Sequence, residues 1–124
     1  MKLEVSIGEM VDKMTILKIK SERISDADKM VFIERELKLI LDMLEPLQAE
    51  YPELSIYMNK LYDVNSSLWD IEDSIREKET HQSFDDEFIS LARNVYKTND
   101  IRAKIKHDIN IYTNSNLREV KQYK

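Results

Sequence analysis

The amino-acid sequence predicts an all-α fold: an antiparallel bundle of about four helices with long helical hairpins. Its 124 residues include one glycine and two prolines, too few for the turns of a β-sandwich, a barrel or a doubly wound sheet. Apolar residues instead recur at helical spacing over four long segments. An apolar content of 42% predicts one domain, residues 1–124, with a modest core.

Composition also constrains the compartment and the partners. The chain has no cysteine, which excludes disulfides and thiolate metal sites. It shows neither the apolar run of a signal peptide nor the ~20 apolar residues of a membrane span, so we expect a soluble, cytoplasmic protein without a membrane partner. The net charge is −5, although Lys97 to Lys124 holds seven Lys/Arg against three Asp/Glu. Cations late in a helix complement its dipole, so nucleic-acid binding is not expected.

Helix one begins at a recognisable cap. Ser6-Ile7-Gly8-Glu9 has the spacing of a capping box. The apolar face that follows is Ile7, Met10, Val11, Met14 and Leu17. Ile16 and Ile19 point away from this face, so helix one is expected to bury two sides. It is either the central helix or a subunit contact.

Capping and turn residues set the other three helices. Ser25 to Asp28 caps helix two, which Pro46 is expected to kink or end because proline lacks an amide proton. A turn at Tyr51-Pro52 precedes helix three, over Glu53 to Glu79. A second cap at Ser83 to Asp86 opens helix four. That helix reaches Tyr112, and Asn114-Ser115-Asn116 ends it.

Polar residues interrupt the apolar stripes of helices three and four. Asn65 and Glu72 lie on the side of helix three that carries Leu61 and Leu68, while Asn99 and Arg102 share the apolar side of helix four. A buried carboxylate and a buried guanidinium are costly unless each has a partner. The sequence therefore predicts a polar site between helices.

We expect this site to bind a small anionic ligand. The planar guanidinium of Arg102 suits a carboxylate or phosphate, and Lys18 lies near the apolar face of helix one. The predicted ligand-binding residues are Lys18, Asn65, Glu72, Asn99 and Arg102. The residues leave open whether Glu72 forms a sealed ion pair with Arg102 or Lys18, or faces an open pocket.

The remaining chemistry-bearing residues do not form a recognisable catalytic or metal site. Asp70, Asp73 and Glu77 share one helix face and could hold Mg²⁺, but a second acidic pair is missing, so a solvated acidic face is expected. His81 and His107 are too far apart in sequence to suggest a zinc pair. A single glycine excludes phosphate-binding and dinucleotide loops. No metal and no cofactor are predicted, and no residue pattern decides whether the protein is an enzyme.

Three runs of sequence carry a family resemblance: Val5 to Leu17, Leu68 to Asp73, and Leu91 to Arg102. They resemble a family of small uncharacterised all-helical proteins, a domain of unknown function from bacteria and bacteriophages. The resemblance covers nearly the whole chain. It implies a stand-alone helical domain, and no catalytic residue carries over from the family.

A weaker resemblance is to the helical chorismate mutases, intertwined dimers with a pocket lined by arginine, lysine and glutamate. Residues of these types stand here at Lys18, Arg23, Glu72 and Arg102. This resemblance implies a chorismate-mutase-like isomerase as one alternative function.

The other alternative is a non-enzymatic interaction module or dimeric accessory protein. In that case Ile16 and Ile19 would dock a second helix, and the buried polar residues would fix its register. We therefore predict a homodimer that forms through helix one.

Overall fold

The computed structural model describes residues 4–114, which form four helices and contain no strand. The helices are α1 (Ile7–Arg23), α2 (Ala27–Glu50), α3 (Leu54–Thr80) and α4 (Asp86–Tyr112). Helix α1 contacts each of the other three, and α3 packs along α4 as a long hairpin. The predicted all-α bundle is confirmed. Within the described part of the chain, no helix is long and apolar enough to cross a membrane.

Short polar side chains cap three of the helices, as their sequence spacing predicts. Ser6 Oγ accepts from the backbone N–H of Glu9 at 3.1 Å, and Asp85 Oδ1 accepts from that of Phe88 at 3.0 Å. Asp26 caps α2 in the same way. The Glu9 carboxylate pairs with Lys106 instead, so only the serine half of the predicted capping box is formed.

Helix α2 does not end at Pro46, which lies inside it, four residues before the last residue, Glu50. Proline leaves the carbonyl four residues earlier, that of Asp42, without its helical donor. Both Asp42 and Pro46 are exposed, so water can hydrate this carbonyl. Exposure explains why α2 continues to the turn at Tyr51.

The apolar core lies where all four helices meet. Its buried side chains are Val11, Met14, Leu44, Leu54, Leu61, Ile105 and Ile109. Tyr112 closes one end of this core: its hydroxyl accepts from the backbone N–H of Glu53 at 3.0 Å, and its ring lies 5.5 Å from that of Tyr57. Near the opposite end of α1, Arg23 pairs with Asp70 on α3.

Helix α1 is the central helix, and its second apolar side is not free for another subunit. Ile19 is 1% exposed and Ile16 is half-buried. The prediction of a dimer contact through Ile16 and Ile19 is therefore wrong, because the other helices of the same chain already cover Ile19. Dimer formation itself stays a prediction.

Candidate functional site

A buried polar cluster joins α1, α3 and α4 beside the core. The Asp12 carboxylate, 3% exposed, accepts from Asn65 Nδ2 at 2.9 Å through Oδ1. The same oxygen accepts from Arg102 Nε at 2.9 Å, and Oδ2 accepts from Arg102 Nη2. Asn65 Nδ2 also donates to Thr15 Oγ1 at 2.9 Å. Each of the three helices thus contributes a side chain to one cluster.

The cluster satisfies its own charges. Arg102 meets Asp12 through two parallel N–H groups, the geometry that guanidinium and carboxylate favour. A third contact, from Arg102 Nη1 to Asn99 Oδ1, spans 3.4 Å. Because the Arg102 side chain is 28% exposed and Asp12 is enclosed, the guanidinium seals the carboxylate from water. This arrangement fixes the packing of α1 against the hairpin.

A second polar contact holds the first turn of α1 against the last turns of α4. Gly8 N donates to Asn110 Oδ1 at 2.8 Å, and Asn110 is 1% exposed. The Lys106 ammonium pairs with the Glu9 carboxylate. A Cβ atom at position 8 would lie 2.5 Å from the Lys106 carbonyl oxygen, so only glycine permits this close approach of the two helices.

The structure brings together three of the five residues predicted for the site: Asn65, Asn99 and Arg102. Of the alternatives left open for Glu72, the sealed ion pair with Arg102 or Lys18 is not formed, since Glu72 is exposed. Arg102 pairs with Asp12 instead. Glu72 lies on the same face of α3 as Asn65. It is beyond the end of α1, however, so α1 does not cover it.

Sequence analysis missed Asp12, Lys106 and Asn110. The signal for Asp12 was a second stripe on helix one, formed by Gly8, Asp12, Thr15 and Ile19 at spacings of four, three and four residues. This is the spacing of a buried face. A carboxylate on it required a cation from another helix.

Lys18 lies apart from this cluster, on a cavity between α1, α2 and α3. The cavity has a volume of about 370 Å³. Its apolar wall consists of Met14, Leu37, Leu41 and Met58. Lys18, Glu22 and Tyr62 are among its polar lining residues. Lys18 Nζ lies 5.1 Å from the centre of the Tyr62 ring, a cation–π distance.

A hydrogen bond between two helices fixes the polar end of the cavity. The Tyr62 hydroxyl donates to Glu22 Oε1 at 2.6 Å. This bond, followed by desolvation, raises the pKa of Tyr62 above its ordinary value, so the phenol keeps its proton at neutral pH. Lys18 has no ion-pair partner among residues 4–114. The cavity therefore offers one unpaired cation beside an apolar wall.

Two carboxylates of the acidic face of α3 form ion pairs. Arg23 pairs with Asp70, and this hydrogen bond raises the pKa of Arg23. Arg76 lies 3.6 Å from Asp73. Residues 4–114 contain no group of three or more His, Cys, Asp or Glu side chains placed to hold a metal ion.

A known protein family matches the chain over residues 1–124, and its description is family of unknown function. The chain belongs to this family, DUF6165. The resemblance to a domain of unknown function is thereby confirmed. Comparisons with curated proteins and with solved structures gave no match. Inferences about activity within DUF6165 therefore depend on the geometry of the chain itself.

Proposed function

We propose that this protein binds a small molecule with an apolar body and a single carboxylate group, held in the cavity between α1, α2 and α3. The observation that carries the proposal is the placement of Lys18, an ammonium without an ion-pair partner in the described residues, beside the apolar wall of that cavity. The volume of about 370 Å³ is at the small end of ligand pockets.

The wall and the charge select different parts of such a ligand. Met14 and Met58 offer flexible, polarizable surface that adapts to an apolar chain or ring. Lys18 would attract the carboxylate, with the Tyr62 ring supporting the ammonium from behind. Glu22, four residues along α1, disfavours a second negative charge. This combination favours a monoanion over a phosphate dianion.

Arg102 has no part in this proposal, although the sequence predicted it as an anion-binding residue. Its charge is matched by Asp12. Arg23, which the isomerase alternative would use, pairs with Asp70. The isomerase alternative stays a prediction without a supporting observation.

Ligand binding is tested by thermal unfolding with a matched pair of probes, octanoate and octylammonium. Octanoate should raise the melting temperature by mass action, and octylammonium should not. Lys18→Gln should weaken octanoate binding about tenfold or more, since a hydrogen bond to a charged group is lost. Lys20→Gln, on the opposite side of α1, is the control and should bind normally.

Methyl spectra of the methionines locate the probe. Octanoate should shift the signals of Met14 and Met58, which line the cavity, and leave that of Met43, which is 56% exposed. Equal binding of octylammonium, or octanoate binding unchanged in Lys18→Gln, would overturn the proposal. So would methyl shifts confined to Met43.

A further inference from the structure

The far half of the α3–α4 hairpin lacks a third helix. None of residues 69–104 is buried. Apolar side chains on both helices, such as Ile75, Phe88 and Leu91, are only half-buried. We call residues 69–98 the distal hairpin. The two helices leave part of their apolar stripes exposed here, and a further packed surface would cover them.

The uncovered face is on the side that α1 covers closer to the core. Glu72 is seven residues from Asn65, about 20° around the helix, and Asn65 contacts α1 through Asp12. Ala92 is five full helical turns from Asn110, which contacts α1 through Gly8. Glu72 and Ala92 are nonetheless exposed. The face thus continues beyond the end of α1 without a cover.

An apolar seam runs along this face of α4. Ile89 and Tyr96 are each 54% exposed, and Ala92, also exposed, lies between them. Their spacing of three and four residues is that of a helix-packing seam. The small side chain at its middle permits a close approach of two helices. A solvated face would not need this pattern.

The charges of the face are self-complementary. On α3, Glu72 and Arg76 are four residues apart, so their midpoint is position 74. On α4, Ile89 and Tyr96 have their midpoint beside Ala92. The ion pairs of Lys78 with Asp85 at 3.0 Å and with Glu87 at 3.1 Å set the register of the hairpin. Four residues back along α3 from Lys78, Ser74 therefore lies level with positions 89–91 of α4, within about 5 Å along the helix of the midpoint of Ile89 and Tyr96.

We propose that a second copy of this chain covers the distal hairpin, related by a two-fold axis that passes close to Ala92. Rotation about this axis brings Glu72 of each copy near Arg76 of the other, within reach of these long side chains, and Ile89 near Tyr96. A symmetric dimer interface must match itself in this way, whereas a surface for an unrelated partner need not. The two hairpins form an antiparallel four-helix bundle.

The first test measures the mass in solution by sedimentation equilibrium, with helix content checked by circular dichroism. The native chain should have twice its monomer mass of 14.8 kDa. Ala92→Glu puts two like charges at the axis and should weaken the dimer roughly a hundredfold. Ser90→Glu, exposed on the opposite side of α4, is the matched control and should leave the dimer intact.

The second test is a charge exchange. Glu72→Arg sets arginine against arginine at two symmetric places and should weaken the dimer about tenfold. Glu72→Arg combined with Arg76→Glu restores both pairs and should restore the dimer. A double variant that stays as weakly associated as Glu72→Arg would contradict this pairing.

Cross-linking tests the position of the axis, since the native chain contains no cysteine. Ala92→Cys should oxidise to a covalent dimer, because helices packed through alanine bring the two thiols within disulfide reach, while Ser90→Cys should stay monomeric under denaturing conditions. A native chain that remains a monomer would overturn the proposal. A dimer that survives Ala92→Glu would do the same, because its interface would lie on another face.

Discussion

The ion pair between Asp12 and Arg102 is expected to be the polar contact on which stability depends most. In Asp12→Leu, Arg102 and Asn65 lose the carboxylate that accepts from both. Breaking a buried ion pair from one side costs roughly 3–5 kcal/mol. Because the Arg102 side chain is 28% exposed, water recovers part of this loss. We expect a decrease of about 3 kcal/mol in the free energy of unfolding.

A double variant separates the energy of the Asp12–Arg102 interaction from the energies of each residue's other contacts. Arg102→Met alone leaves the buried Asp12 carboxylate with Asn65 Nδ2 as its side-chain donor, and should cost about as much as Asp12→Leu. Asp12→Leu with Arg102→Met turns the site into ordinary apolar core and should recover most of either loss. The two single losses together come to about 6 kcal/mol, whereas the double variant should lose only about 1 kcal/mol, so the coupling energy should be about 5 kcal/mol.

Glu72→Gln is the matched control, because sequence analysis considered Glu72 as the partner of Arg102, whereas in the structure that partner is Asp12. Glu72 is exposed, so the change should stay within about 0.5 kcal/mol. The free energy of unfolding of each of the four variants is measured by urea denaturation, with circular dichroism as the signal. Additive losses at positions 12 and 102 would refute the pairing, and a large loss in Glu72→Gln would place Glu72 in the core. Since Glu72 is at the proposed dimer face, the comparison is made at concentrations where the chain is monomeric.

Three further outcomes follow from the same contacts. Gly8→Ala should lower the free energy of unfolding by about 1–2 kcal/mol despite alanine's better helix propensity, because the new methyl meets the Lys106 carbonyl; denaturant unfolding measures it. Ile19→Asp should abolish the cooperative thermal transition, since it buries a charge at a site 1% exposed; a folded monomer would contradict the central position of α1. The Phe88 backbone N–H, with Lys78, lowers the pKa of Asp85. The ionised Asp85 carboxylate therefore stabilises the folded state above about pH 4, and this stabilisation is lost as the pH falls through the lowered pKa. Asp85→Asn should reduce this dependence on pH in unfolding measured across the acid range, and an unchanged acid limb would argue against the contact.

Helix positions could be predicted because each depends on residues adjacent in sequence. Ser6 and Asp85 cap helices through amides three residues away, and apolar periodicity fixed the extent of α3 to within one residue at each end. Pro46 was misjudged because its effect depends on solvent access. An exposed proline near the last turn of a helix removes a hydrogen bond that water replaces.

The polar site was only partly predictable because periodicity gives the direction of a side chain but not what covers it. Asn65 and Arg102 point where their stripes indicate, and both meet α1. Glu72 points the same way as Asn65, yet no helix of this chain reaches it. Asp12 was missed because helix one buries two stripes, and the one with fewer apolar residues holds the carboxylate. Such a residue is found only when each buried cation is required to have a partner.

Both the buried cluster and the exposed seam follow from the unequal lengths of the helices. Helix α1 has 17 residues, whereas α3 and α4 have 27 each. The difference of ten residues corresponds to about 15 Å of hairpin. Where α1 is present, it supplies Asp12 and Thr15 to polar side chains on α3 and α4. Beyond the end of α1, the same helix faces continue with Glu72 on α3 and Ala92 on α4, which are exposed to solvent. If the distal hairpin stayed in contact with water, apolar side chains at helix-packing spacing, such as Ile89 and Tyr96, would not stabilise it. Their spacing therefore favours a second set of helices in the position that α1 leaves open.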